Sequence, residues 1–442
     1  MRVLLIAYDN DSYINYFPLG LAYVASAFRK AGHEVVIYPQ DKYHYPDEHL
    51  TEFLNKQSFD IVGTGMCAGY YQFSQLENIS LAVRKAKNPP IFIIGGLLVS
   101  PDPKYFQSLT VADYVFVGEV DHLIKGIKWE KDPEQAIWIG EAAQVDSLPW
   151  PSWELFDIDY YSLIRLPHTE NKDRCFPVLS ARGCPFRCTF CYRVYPGVRL
   201  RAIQDIVNEI QYLKETYRIN YIDFADELFM VSEKRSIELS LALKPLKIKW
   251  MCNGRLNYAT HEVLGEMKDA GCVFINYGIE SLDDTVLRNM RKNLTKKQIE
   301  KGIAETQSMG ISTGLNFIWG NIGDTKETLW ECVHFIKEFG ETAQLRTIRP
   351  VTPYPGCELF QKAVGEDRVR DCADFYENKH TNSDLPSIQF SSLSNEDFTK
   401  ELHKANSFLV HKYLDMKLTE YQEVMHNLYE KKDASFRGFR QL

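Results

Sequence analysis

Ala181-Arg-Gly-Cys-Pro-Phe-Arg-Cys-Thr-Phe-Cys-Tyr192 carries three cysteines, Cys184, Cys188 and Cys191, spaced by three residues and then by two. That spacing lets one short loop wrap a metal centre, and it supplies three thiolates, one short of a closed tetrahedral site. A 4Fe-4S cluster held this way keeps one iron free for a ligand from outside the protein. Structural zinc is the other occupant thiolates suit, but it normally takes a fourth Cys or His nearby, and the next histidine after Cys191 is His261.

Downstream of Pro177 the chain alternates strand-like and helix-like segments. Strands are expected at residues 178–180, 221–225, 249–252, 273–278, 313–319 and 345–350, with helices at 203–215, 233–243, 262–270, 296–309 and 326–339. Six such units suggest a partial barrel whose chemistry sits in the loops at the carboxyl ends of its strands. The cysteine loop directly follows the first of them.

Upstream, residues 1–140 show the pattern of an open parallel sheet with helices on both faces. Its strands are expected at 3–7, 34–38, 61–66, 91–94 and 114–117, with helical spacing at 19–30 and 73–87. Ligands of such sheets bind beyond the carboxyl ends of the strands, where Asp9, Gly65, Gly95 and Gly96 fall. Residues 141–172, with Ser147-Leu-Pro-Trp-Pro-Ser-Trp153, read as a proline-extended connector between two folding units. Residues 371–442 contain helical segments at 395–413 and 419–431, and the terminal Phe436-Arg-Gly-Phe-Arg440 reads as a mobile tail beyond a helical lid.

The 442 residues are too many for one ordinary core. A net charge of -8 gives no electrostatic case for nucleic acid or an anionic membrane surface. The apolar run Val3 to Tyr8 is too short for a signal peptide core or a membrane span. Cys67, Cys175, Cys252, Cys272, Cys332, Cys357 and Cys372 are scattered singly, which is not a disulfide framework and fits a reducing cytoplasm.

The cysteine triplet, with Phe190 before its last member and Tyr192 after it, resembles the radical S-adenosylmethionine (SAM) enzymes. In that family the amino and carboxylate groups of SAM chelate the fourth iron, and reduction of the cluster cleaves SAM to methionine and a 5'-deoxyadenosyl radical. The resemblance implies that Phe190 and Tyr192 lie beside the cluster and adenine. It implies that Asp226 and Glu227, in Tyr221-Ile-Asp-Phe-Ala-Asp-Glu227, stand where the family often grips the methionyl amine, although the usual glycines are absent. Arg255 would pair with the SAM carboxylate through its bidentate fork. Glu280 and Ser281, in Gly278-Ile-Glu-Ser281, would serve the ribose hydroxyls or the amine, and Asn316 the ribose or adenine. Plainer readings stand beside these: packing for the aromatics, a solvated Arg255, and helix capping for Glu280.

The first half resembles the cobalamin-binding members of that family through Phe17-Pro-Leu-Gly-Leu-Ala-Tyr23, Lys30-Ala-Gly-His-Glu-Val35, Asp60-Ile-Val-Gly63, Gly95-Gly96, Val117-Gly-Glu119 and the Leu-Pro-Trp-Pro connector. It implies cobalamin contacts at Asp9, Gly20, Gly65, Gly95 and Gly96. The loop from Asp9 to Gly20 lacks the histidine that methionine synthase-type domains use as lower cobalt ligand. Gly65 stands where a serine is often found, and Leu97-Leu98 where Pro-His often follows the two glycines. A retained Rossmann-like domain without cobalamin is the competing reading.

The expected architecture is therefore α/β: a Rossmann-like cobalamin-binding-type domain (1–140), a linker (141–172), a partial (β/α)6 radical SAM barrel (173–370) and a small C-terminal helical region (371–442). The implied cofactors are a 4Fe-4S cluster, SAM and cobalamin. The implied activity is methyl transfer to an unactivated carbon of a small-molecule or natural-product substrate, with flavodoxin or ferredoxin as reductant. A cyclase, ring contractase or dehydratase of the same architecture is the alternative, and a non-catalytic sensor a third. A methylthiotransferase is disfavoured, because its first domain should bring three cluster cysteines and only Cys67 is there.

Overall fold

The computed structural model describes residues 1–433. Runs of Val, Ile and Leu form the strands of a first sheet, β1 (Arg2–Ala7), β2 (Glu34–Pro39), β3 (Ile61–Gly65), β4 (Ile91–Gly95), β5 (Tyr114–Val117) and β6 (Ile137–Ile139). All are parallel, in the order β2-β1-β3-β4-β5-β6. From β1 the chain passes to β2 on one side and from β3 to β4 on the other, so the crevice beyond β1 and β3 is a topological switch point. Strand β6 was not foreseen, being three residues between charged, proline-bearing loops.

The second half opens with β7 (Cys175–Val178), followed by a two-stranded antiparallel ribbon of β8 (Ala181–Cys184) and β9 (Gly197–Leu200). Then come β10 (Tyr221–Phe224), β11 (Lys249–Gly254), β12 (Cys272–Glu280), β13 (Ser312–Trp319) and β14 (Arg349–Pro350). Six of these form a parallel half barrel in the order β14-β13-β12-β11-β10-β7. Capping boxes at Thr295 and Thr325 start the helices Lys296–Ser308 and Lys326–Phe339 that cover its outside.

Three segments differ from the reading of periodicity. The first barrel strand lies over Cys175–Val178 rather than 178–180, because Asp226 captures the Ser180 and Ala181 amides and draws the chain out of the sheet. The last strand shrinks from 345–350 to Arg349–Pro350, because both backbone groups of Ile348 bond to the side chain of Asn406 instead of a neighbouring strand. The two C-terminal helical segments are one helix, Asn395–Tyr429, started by Ser394. Phe436 to Arg440 lies outside the described residues.

The connector is packed rather than stretched between units. Phe17, ahead of the first helix, meets the rings of Trp153, Phe156 and Tyr161 from the connector and Phe176 from β7 at centroid separations of 4.7–5.3 Å. Both halves thus share a core. The segment after β14 packs back on the first sheet, with Tyr376 stacked on Phe73 at 5.2 Å.

Candidate active site

The cysteine loop spans the turn of the ribbon, between β8 and β9, so β-pairing fixes both of its ends. Gly183 has φ +88°, and a Cβ there would lie 2.5 Å from the Gly197 carbonyl oxygen. Only glycine lets the ribbon close that tightly. The ribbon is tied to the first sheet: the Tyr195 hydroxyl accepts from the Glu119 amide at 3.1 Å, Arg182 pairs with Asp121 at 3.1 Å, and Arg199 pairs with Glu119.

Cys188 is buried, Cys184 half-buried and Cys191 exposed. The Cys188 thiol is lowered to about 6 by its hydrogen bond with Cys191, reinforced by the charges of Lys292 and Arg255. An iron ligand must be a thiolate, so this environment suits the role. Among the described residues no group of three or more His, Cys, Asp or Glu converges to hold a single ion. The loop borders a cleft of about 620 Å³ whose lining includes Cys188 and Cys191 together with Arg187, Arg193 and Arg291.

Arg255, at the carboxyl end of β11, is buried with its guanidinium 3.5 Å from the centre of the Phe186 ring. Its Nε donates to Asn257, whereas its buried Nη2 has no hydrogen-bond partner among the described residues. A buried guanidinium nitrogen without a partner costs free energy. A SAM carboxylate on the vacant iron of a cluster held by this loop would satisfy it.

Glu280 takes φ +73° at a bulge near the end of β12 and is buried against Lys292, 3.0 Å away. It does not cap the next helix; Asp283 does. Lys292 also lies 5.9 Å from the centre of the Phe190 ring, which links this ion pair to the cysteine loop. Ser281, buried beside Glu280, accepts from the Asp283 amide. Tyr192 lies against Gly356, where a Cβ would come within 2.5 Å of its ring.

The Asp226–Glu227 pair divides. Asp226 is fully enclosed, pushed up to about 7 by burial, and its oxygens accept from Ser180 and Ala181. Glu227 is exposed, on the side of Cys184. Asn316 lies inside the barrel, donating to the Asn276 side chain and the Tyr277 carbonyl and accepting from Arg346 at 2.6 Å.

On the first sheet, Gly65 and Gly95 are register partners at the ends of β3 and β4. Nothing lies within 4 Å of a Cβ built on Gly65, so its missing side chain leaves open space. Gly96 has φ +96°, and a Cβ there would lie 2.3 Å from the Met66 carbonyl oxygen, so the turn is closed to other residues. Asp9 pairs with His44 at 2.8 Å, and Gly20 is exposed in the first turn of helix Leu19–Lys30. The open glycine edge fits a large planar ligand such as a corrin.

Reading the sequence singled out neither Lys292, Arg346 nor Phe186. Lys292 follows Arg291 just after a short helix, and nothing local marks which of the two is buried. Phe186 sits inside the motif but outside its cysteine–aromatic pattern.

A three-thiolate loop at the mouth of a parallel half barrel, joined through a shared core to a Rossmann-like sheet, defines an iron–sulfur enzyme of the α/β class. Residues 178–336 match the Radical SAM superfamily and residues 9–128 the B12 binding domain, together more than half of the chain. The chain belongs to the cobalamin-binding radical SAM enzymes, and its cofactors are a 4Fe-4S cluster, SAM and cobalamin. It is 28% identical to an uncharacterized methyltransferase of Pyrococcus horikoshii, over 92% of this chain and 91% of that one. It is 24% identical to the anaerobic magnesium-protoporphyrin IX monomethyl ester cyclase of Rubrivivax gelatinosus, over 81% and 68%. The solved structure of the radical SAM methyltransferase TsrM from Kitasatospora setae, with cobalamin and a 4Fe-4S cluster bound, shares the fold at TM-score 0.64 and 16% identity, over 83% and 78%. Among the described residues no helix is long and apolar enough to cross a membrane.

Proposed function

We propose that this enzyme transfers a methyl group to an unactivated carbon of a small-molecule substrate. The observation that carries the reading is the placement of two cofactor edges in one molecule: the glycine edge of β3 and β4, and the cysteine loop, whose ribbon is tied by Tyr195, Arg182 and Arg199 to Glu119 and Asp121 beyond β5 of the same sheet. Together the bound cofactors supply a hydrogen-abstracting radical and a transferable methyl group. Cys184, Cys188 and Cys191 hold the cluster, and Arg255 orients the SAM carboxylate. Glu280, charge-balanced by Lys292, accepts from ribose hydroxyls or the amine, and Glu227 offers a further acceptor for the amine. Phe190 and Tyr192 wall the adenine side. Gly65, Gly95 and Gly96 leave the surface on which cobalamin rests. Arg187, Arg193 and Arg291, in the cleft that Cys188 and Cys191 also line, suit an acidic electron carrier such as flavodoxin or ferredoxin.

The test is anaerobic turnover of the reconstituted enzyme with SAM bearing a trideuteromethyl group, hydroxocobalamin, dithionite and a metabolite extract of the source cells. Appearance of the label on carbon of an extract component supports the reading. Formation of 5'-deoxyadenosine with no label transferred would sink it in favour of a cyclase, contractase or dehydratase.

Two variants separate the cofactors. Arg255→Gln should bind SAM about tenfold to a hundredfold more weakly, the effect of losing one charge-assisted hydrogen bond, with iron content unchanged. Equilibrium dialysis with SAM checks it. Gly65→Phe should keep the circular dichroism of the folded protein, because its side chain enters open space, yet lose retention of hydroxocobalamin on gel filtration.

A further inference from the structure

The inward faces of β11, β12 and β13 carry Asn253, Asn276, Gly314 and Asn316, and the three asparagines are half-buried rather than sealed. Their amides run across the barrel interior: Asn276 donates to Asn253 at 3.1 Å, and Asn316 donates to Asn276 at 2.9 Å. The ladder ends on Arg346, whose Nη1 and Nη2 donate to the side-chain oxygens of Asn316 and Asn276 at 2.6 and 3.1 Å. Gly314 makes the room, since a Cβ there would lie 2.4 Å from both Arg346 Nη2 and Asn276 Oδ1.

What this guanidinium lacks is a counter-charge. Arg182, Arg199 and Arg201, which brace the cysteine ribbon and the strand before it, each meet at least one carboxylate. Arg346 has none within ion-pair distance among the described residues, and its buried Nε has no hydrogen-bond partner. Its neighbours contribute only neutral amide oxygens, and burial with the charge of Arg349 lowers it to about 10. The carboxylate on β10, Asp223, is engaged instead by the hydroxyl of Tyr16, which enters from the first sheet. A held, uncompensated cation with an unused donor is costly unless an anion completes it.

We propose that Arg346 is the specificity-determining anchor for an oxyanion of the substrate, a carboxylate or phosphoryl group, placed in the barrel interior. Arg255 takes the carboxylate of SAM at the cluster loop, and Arg346 takes the substrate. This rests on reading the barrel interior as the substrate chamber, but its test requires neither SAM cleavage nor methyl transfer, so either reading can fail alone.

The test is thermal unfolding and isothermal titration of the cluster-reconstituted enzyme with sodium acetate and with inorganic phosphate, against chloride at matched ionic strength. One of the two should bind saturably and raise the melting temperature; acetate assigns a carboxylate and phosphate a phosphoryl group. Arg346→Gln, which keeps an amide for the asparagine ladder, should weaken that binding by about tenfold or more, and Arg346→Lys by less, since the lysine keeps the charge but not the fork. SAM affinity should be unchanged in both. In the wild-type enzyme the effective anion should also protect Arg346 from phenylglyoxal, read by peptide mass spectrometry, a readout that stands if the variants do not fold. The proposal is overturned if neither anion differs from chloride, if Arg346→Gln binds it equally well, if Arg346 is not protected, or if SAM affinity falls in step.

Discussion

Cys188→Ala is expected to reduce 5'-deoxyadenosine formation about a thousandfold or more, equivalent to raising the barrier by at least ~4 kcal/mol, because no reducible cluster remains to start the reaction. Cys188 is the most enclosed of the three thiols and the one whose surroundings most favour the thiolate. Its loss should appear first as lost iron and lost visible absorbance after reconstitution, and only then as lost turnover. The fold should persist, since β8 and β9 are paired through backbone groups on either side of the loop. A Cys188→Ala protein that keeps its full iron content and still cleaves SAM would show that the cluster lies elsewhere.

Lys292→Met should destabilise the protein by about 3–5 kcal/mol, the cost of leaving one partner of a buried ion pair alone. Lys292 and Glu280 are 6% and 8% exposed, so water does not replace the missing charge. The double variant Glu280→Gln with Lys292→Met should recover most of that stability while still binding SAM weakly. Urea unfolding of the wild type and the two variants, with SAM binding measured beside it, separates the two effects. Equal stability of Lys292→Met and the wild type would mean that the pair is screened, and the role of Glu280 would need another explanation.

The parallel sheets were legible because strands buried on both faces write themselves as Val, Ile and Leu runs, as in Val3 to Ala7 and Ile91 to Ile94. The cysteine loop was legible because its three cysteines lie close together in one short stretch of sequence. The Glu280–Lys292 pair and the Arg346 ladder were not, because Lys292 and Arg346 lie in loops, and no local pattern marks how those loops fold back onto the strands. The end of the barrel was misjudged for a related reason: Leu345 to Pro350 has strand composition, but Asn406 on a distant helix takes the backbone bonds that would have extended β14. Asp226 shows the converse. Its position in the chain fits a ligand contact, while its atoms are committed to the turn that launches the cysteine ribbon.

The ring cluster around Phe17 bears on how the molecule keeps its measure. Phe17 belongs to the half with the glycine edge, Phe176 to the half with the cysteines, and Trp153, Phe156 and Tyr161 to the connector between them. Cutting the chain between 141 and 172 would strip both halves of a common interior, so neither is a detachable module. The spacing between the cysteine loop and the glycine edge is therefore a dimension set when the chain folds, by rings that both halves share.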